Sequence, residues 1–221
     1  MTAVRALVPD VVLEVDLAML DPPALDFAAG QWVSVPLGPR VVRAYSIASA
    51  PRTASTVTLC ADVAPDGPGS RWFRALAPGA EVAFTAPLGG FVLAADETRR
   101  RLFVAEEIGI VPIRSILADL EPTRFVRPAA LVYWAREAGW LVYDAELRAL
   151  ARRHPGFAYH PVVAADAGHA RGPAEVVDRL VTDVTGLVAY VAGGAATIAG
   201  VREVLMAKGL ERKAVKWEKF W

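Results

Sequence analysis

One cysteine, four lysines and three histidines are all that this 221-residue chain carries of those types. A lone Cys60 excludes an intramolecular disulfide framework, a cysteine-ligated iron–sulfur cluster and a cysteine-based zinc site. His154, His160 and His169 show no metal-ligand spacing, so no metal site is expected. The formal net charge is zero, which gives no general attraction to nucleic acid or to an anionic membrane. No apolar run is long enough to span a bilayer, and the N-terminus lacks a signal-peptide pattern. The expectation is a cytoplasmic protein without a membrane span.

What is present is a globular composition. Hydrophobic residues make up 54% and charged residues 22%, ample for a packed core and contrary to disorder. The length fits one large domain or two small ones. Lys208, Lys213, Lys216 and Lys219 all lie near the C-terminal end, with arginine serving elsewhere.

Two periodicities divide the chain. Residues 11–17, 32–37, 41–49, 56–63 and 81–86 are short apolar or alternating runs, punctuated by Pro22-Pro23, Gly38-Pro39, Pro65-Asp66-Gly67-Pro68 and Pro78-Gly79. Strands at that spacing predict a small antiparallel β-barrel. One helix over 70–76 interrupts them, with Ser70 as its N-cap and Arg71 and Arg74 favouring a phosphate there. After a charged break at 97–101, strands alternate with helices: 102–105, 129–135, 157–163, 187–192 and 214–220 against 110–120, 143–153, 174–181 and 196–208. That order predicts a doubly wound parallel sheet with ligands at the carboxyl ends of its strands. The expected domains are a barrel over 1–97 and an α/β nucleotide-binding domain over 98–221.

Within the barrel half, Val41 to Ser49 is the most informative stretch. Alternation along a strand puts Arg43 and Tyr45 on one face. A guanidinium beside a phenol suits a ligand with a phosphate at one end and a flat ring at the other. An ordinary barrel strand with a core tyrosine and a rim arginine would read the same way.

Arg43-Ala44-Tyr45-Ser46 resembles the R-x-Y-[ST] flavin signature of the ferredoxin–NADP reductase family. Gly30-Gln31-Trp32 before it, Gly69-Ser70 after it and Pro87-Leu88-Gly89-Gly90-Phe91 beyond resemble that family's further motifs, in family order. The resemblance implies FAD, ahead of FMN, as cofactor. It places Arg43, Ala44, Tyr45 and Ser46 against the flavin, with Tyr45 on the isoalloxazine ring and Ser46 near N5. Gly69, Ser70 and Arg71 would complete the phosphate site.

In the second half, Ala105-Glu106-Glu107-Ile108-Gly109-Ile110-Val111-Pro112 stands where the family has a glycine-rich loop for the NAD(P)H diphosphate. Gly109 and Pro112 fit, whereas Glu106 and Glu107 replace two small residues. Ala192-Gly193-Gly194-Ala195 matches the family's C-G-P-P loop without its cysteine. Gly193 and Gly194 keep the close backbone approach. Arg136, after Trp134-Ala135, lies where an arginine could meet an adenosine 2′-phosphate. Lys216-Trp217-Glu218-Lys219-Phe220-Trp221 resembles the terminal E-x-[YF] of plant-type reductases. That implies Glu218, with Ser46, at the reacting centre, and Phe220 with Trp221 over the flavin.

The resemblance implies an FAD-dependent oxidoreductase passing electrons from NAD(P)H to a separate acceptor, a ferredoxin, flavodoxin or oxygenase component. One alternative keeps the flavin and loses the nucleotide, because of Glu106, Glu107 and Ala192. Another is a non-catalytic partner-binding module on the same fold.

Overall fold

The computed structural model describes residues 1–53, 55–164 and 172–220. Two compact units form, Met1–Leu93 with Val111–Asp119, and Ala94–Ile110 with Leu120–Trp221.

The first unit is antiparallel. Strand β1 (Ala3–Val8) turns at Pro9 and Asp10 into β2 (Val12–Ala18), with Asp10 in the left-handed region at φ +59°. Further along come β3 (Trp32–Gly38), β4 (Val41–Ser46), β5 (Thr56–Asp62), helix α1 (Pro68–Ala75) and β6 (Thr85–Leu88). They make two three-stranded sheets, in the orders β1-β2-β5 and β4-β3-β6. An isolated antiparallel bridge between Ile47 and Leu59 links the end of β4 to β5. The expected barrel half is therefore built as two small antiparallel sheets. Val15, Leu17, Val33, Val35, Ile47, Val57, Leu59 and Phe73 fill its core. Each fully buried side chain of this kind is worth about 1.5–3 kcal/mol of burial.

Three boundaries differ from those read in the sequence. Strand β1 was not expected, because Ala3-Val4-Arg5-Ala6-Leu7-Val8 has no clean alternation and gains its place by pairing with β2. The last strand of this unit begins at Thr85, four residues after the start of the run that suggested it. Helix α1 begins at Pro68 with Gly67 as its cap, so Ser70 lies inside the first turn and does not cap it. Proline has no N–H to lose at a first helical position, which makes Pro68 the better start.

The second unit holds a five-stranded parallel sheet of β7 (Arg100–Glu106), β8 (Ala129–Ala135), β9 (Phe157–Val163), β10 (Leu187–Gly193) and β11 (Val215–Lys219). Helices α2 (Ile110–Leu120), α3 (Asp144–Arg153), α4 (Pro173–Leu180) and α5 (Ala195–Ala207) connect successive strands. All seven residues of β10 are buried, as a central parallel strand covered on both faces requires. Strand order is β11-β10-β7-β8-β9, so the chain winds outward from β7 and then returns to β7's other side. The reversal puts a switch point between β7 and β10, where open α/β sheets bind ligands outside their carboxyl ends.

Residues 111–119 of α2 pack with the first unit. Arg114 Nη1 donates to the Ala48 carbonyl at 2.9 Å and Ser115 Oγ to the Ser49 carbonyl at 2.6 Å. Among the described residues, no helix is long and apolar enough to cross a membrane.

Candidate functional site

Arg43 and Tyr45 sit on β4, paired across to Val35 and Val33 of β3. Their shared face meets the start of α1. A Cβ built on Gly69 would lie 2.9 Å from the Tyr45 hydroxyl and 3.5 Å from Arg43 Cγ. A side chain at Gly69 would make the Tyr45 hydroxyl shift. Three of the sequence-predicted residues therefore converge.

The Tyr45 ring stacks on Trp72 of α1 at 5.5 Å and 25°, and tilts against Phe73 at 5.1 Å. Its hydroxyl is buried with no hydrogen-bond partner among the described residues. Burial pushes its pKa up to about 12, with the Arg43 charge working in the opposite direction. The phenol is thus a neutral donor across ordinary pH. A buried donor without an acceptor costs about 1–3 kcal/mol, so such groups mark places where a partner is missing. Arg43 is exposed and donates to the neighbouring Val42 carbonyl at 2.8 Å. Its charge remains available to a ligand.

The other residues of the predicted flavin set are placed less uniformly. Ala44 is exposed and pairs with Ser34, on the strand face opposite Tyr45. Ser46 is buried at the end of β4 opposite Trp32. Ser70 is buried in the first turn of α1, and Arg71 is exposed, donating to the Asp66 carbonyl at 2.9 Å. Trp72 was missed in the sequence. Its signal was available two residues after Ser70, where an aromatic in a polar first turn has no solvent-side role.

A second group gathers at the carboxyl ends of β7, β10 and β11. A Cβ on Gly109 would stand 2.2 Å from the Ala192 carbonyl, so the loop after β7 lies directly on the end of β10. Parallel register sets Glu218 beside Ala192 and Lys219 beside Gly193, and the Phe220 amide donates to the Gly193 carbonyl at 3.1 Å. Gly109, Gly193, Gly194, Glu218 and Phe220 are thereby brought to one edge. Trp221 lies outside the described residues, as does His169.

Glu106 and Glu107 are engaged internally. Glu106 Oε2 accepts from the Gly194 amide, the N-cap residue of α5, at 2.8 Å. Glu107 accepts two hydrogen bonds from Arg136, at 2.7 and 3.1 Å, and that guanidinium lies 5.0 Å from the Trp140 ring centroid. Both carboxylates thus turn toward this edge and away from open solvent. Glu107 also adopts φ +46°, a left-handed conformation that favours glycine. Beside them, Glu106, Trp134, Pro173 and Thr197 help to line a cavity of about 360 Å³. Trp134 Nε1 is buried without a hydrogen-bond partner among the described residues.

Residues 11–93 match a family model described as an oxidoreductase FAD-binding domain. A ferredoxin–NADP reductase B of Sorangium cellulosum is 36% identical over 155 residues, covering 69% of this chain and 63% of that protein. The ferredoxin–NAD(P)(+) reductase component of naphthalene 1,2-dioxygenase/salicylate 5-hydroxylase systems from a Ralstonia species is 30% identical over 191 residues, covering 84% and 58%. The chain thus spans less than two thirds of either curated relative. In fold, it superposes on a Neisseria gonorrhoeae ferredoxin NADP+ reductase, solved with bound FAD and NADP, at TM-score 0.83 and 19% identity, covering 100% of this chain and 96% of that one. Motif order, an antiparallel half followed by a parallel sheet, and these likenesses agree: the chain belongs to the ferredoxin–NADP reductase family.

Proposed function

We propose that the chain is a flavoprotein oxidoreductase that passes reducing equivalents from NAD(P)H through FAD to a separate acceptor. The observation that carries this reading is the buried, partnerless Tyr45 hydroxyl facing Gly69 and flanked by Arg43, inside the segment that matches an FAD-binding model. These residues fit the cofactor. A cation answers its phosphates, the phenol supplies a donor, and the bare Gly69 backbone leaves room for close approach.

In this reading Arg43 holds phosphate, with Gly69, Ser70 and Arg71 at the first turn of α1. Tyr45 borders the isoalloxazine, backed by Trp72, while Ala44 shapes the strand. Ser46 provides a small polar neighbour to the reacting nitrogen. Bound FAD supplies a two-electron acceptor that can release electrons singly or in pairs. Gly109, Gly193 and Gly194 give the nicotinamide nucleotide a bare backbone edge, with Glu218 and Phe220 beside it. The barrel over 1–97 serves the flavin and the α/β half over 98–221 the nucleotide.

The acceptor is a ferredoxin, a flavodoxin or an oxygenase component, and the protein works in the cytoplasm. Lys216 and Lys219 are exposed on β11 and suit an acidic acceptor surface. Relatives named as a ferredoxin–NADP reductase and as an oxygenase-system reductase component support this class of partner.

A spectrum of the purified protein tests the proposal. A stoichiometric flavin is expected, bleached when NADH or NADPH is added anaerobically. Colourless protein that takes up no FAD on reconstitution would end it, and so would a flavin that only dithionite reduces.

A further inference from the structure

The edge that would receive a nucleotide already carries carboxylates of the chain's own, and two of them, Glu106 and Glu107, take its donors. Glu106 comes from the last position of β7 and reaches 88 residues along the chain to the Gly194 amide. An N–H at a helix N-terminus is what a phosphate or carboxylate oxygen of a ligand would seek. Here a carboxylate oxygen stands in for that ligand atom. The contact is close all round, since a Cβ on Gly193 would lie 2.8 Å from both Glu106 Cβ and Glu106 Oε2. Glu107 acts differently. It holds Arg136 in a two-point pair, so that guanidinium is engaged before any ligand arrives. Glu106 therefore puts negative charge on the amide that a ligand would seek, and Glu107 engages a cation beside it.

Glu107 also keeps a left-handed backbone at the first residue after β7, where a glycine would be unstrained. The Arg136 pair holds a side chain at a position whose backbone gives no reason for one. Trp134 Nε1 is a further donor here, buried beside the Glu106 wall of the cavity. Donors exist at this edge, but the carboxylates have taken the amide and the guanidinium.

We propose that Glu106 and Glu107 are specificity-determining residues that make this edge self-liganded and penalise the diphosphate of a dinucleotide. The better hydride donor per encounter is then a dihydronicotinamide carrying less negative charge. The proposal rests on the reading of this edge as the nicotinamide-nucleotide site. In the reaction concerned, the C4–H bond of the dihydronicotinamide breaks, its hydride passes to the flavin, and the nicotinamide leaves oxidised.

The test compares NADH with uncharged 1-benzyl-1,4-dihydronicotinamide, on flavin-loaded wild-type protein and on E106G/E107G, under anaerobic stopped flow. Removing two adjacent carboxylates, one of them paired with Arg136, should raise the second-order rate constant for NADH by at least about tenfold, since a charge pair near a protein surface is worth several-fold to many-fold after screening. The rate with the uncharged donor should change less than about twofold by the same argument. Calorimetric titration of NAD+ into the oxidised proteins gives a readout independent of turnover. There the double variant should bind at least about tenfold tighter, with a steeper loss of affinity as salt rises, because Glu107 no longer pairs with Arg136.

E106Q keeps an oxygen at the Gly194 amide and removes only the charge, so it should gain part of the effect without a loss of melting temperature. Equal NAD+ affinity in wild type and double variant overturns the proposal, as does a parallel rise with both donors. Failure of the underlying functional reading looks different. In that case neither donor bleaches the wild-type flavin, and NAD+ binds neither protein in the titration, which also overturns the assignment of Glu106 and Glu107.

Discussion

Replacing Tyr45 with Phe separates a cofactor contact from a structural one, because the two roles predict opposite signs. In the cofactor-free chain the hydroxyl is buried without a partner among the described residues. Leaving a donor in that state costs about 1–3 kcal/mol. Tyr45→Phe removes the donor and keeps the ring packed on Trp72 and Phe73, so the flavin-stripped variant should be more stable than the stripped wild type. For a chain of this size, each kcal/mol corresponds to roughly 2–4 °C in Tm, so a rise of about 2–12 °C is expected. FAD binding should move the other way. A lost hydrogen bond to an uncharged group is worth about 0.5–1.5 kcal/mol, or roughly 2- to 13-fold in Kd. The assay is differential scanning calorimetry of the stripped proteins with a fluorescence titration by FAD. A stripped variant that melts lower than wild type, with unchanged FAD affinity, would refute the reasoning, since the hydroxyl would then be serving the fold.

Arg43→Ala should weaken FAD retention by about tenfold or more, by loss of a charge-assisted phosphate contact, and leave the stripped protein's Tm within about 1 °C because the side chain is exposed. Unchanged flavin content would displace the phosphate site. Gly69→Val should lower flavin occupancy more than Gly69→Ala, since the added Cβ already stands 2.9 Å from the Tyr45 hydroxyl; equal occupancy in all three proteins counts against the close approach. Arg99 hydrogen-bonds to Glu97 and holds its carboxyl down at about 2, well below the 4.5 of an unpaired glutamate. That stabilisation is present above pH 4.5 and is lost as pH falls from 4.5 toward 2, because the unfolded chain takes up the proton first. Glu97→Gln should therefore flatten the Tm-against-pH curve in that window, and a parallel curve would show that the pair contributes nothing.

Much of the architecture was legible from spacing alone. Short alternating runs broken by proline and glycine gave antiparallel strands, and apolar runs separated by helical stretches gave the parallel sheet, because each pattern is a local consequence of how side chains leave a strand or helix. Where local pattern was weak the reading failed. Ala3–Val8 is a strand because Val12–Ala18 pairs with it, and the start of α1 was decided by Pro68 ahead of Ser70.

For the candidate site, the sequence by itself determined which chemical groups are present. A cation and a phenol sit two apart on a strand, a glycine opens a helix, and two acids occupy a loop that ends a β-strand. Tertiary structure decided what those groups face. Trp72 behind Tyr45, the unsatisfied hydroxyl over Gly69, Glu106 on an amide 88 residues distant and Glu107 on Arg136 all depend on which strand ends the topology sets side by side. Periodicity reports which face a side chain leaves from; only the folded chain brings to that face the partner that fixes its charge and hydrogen bonding.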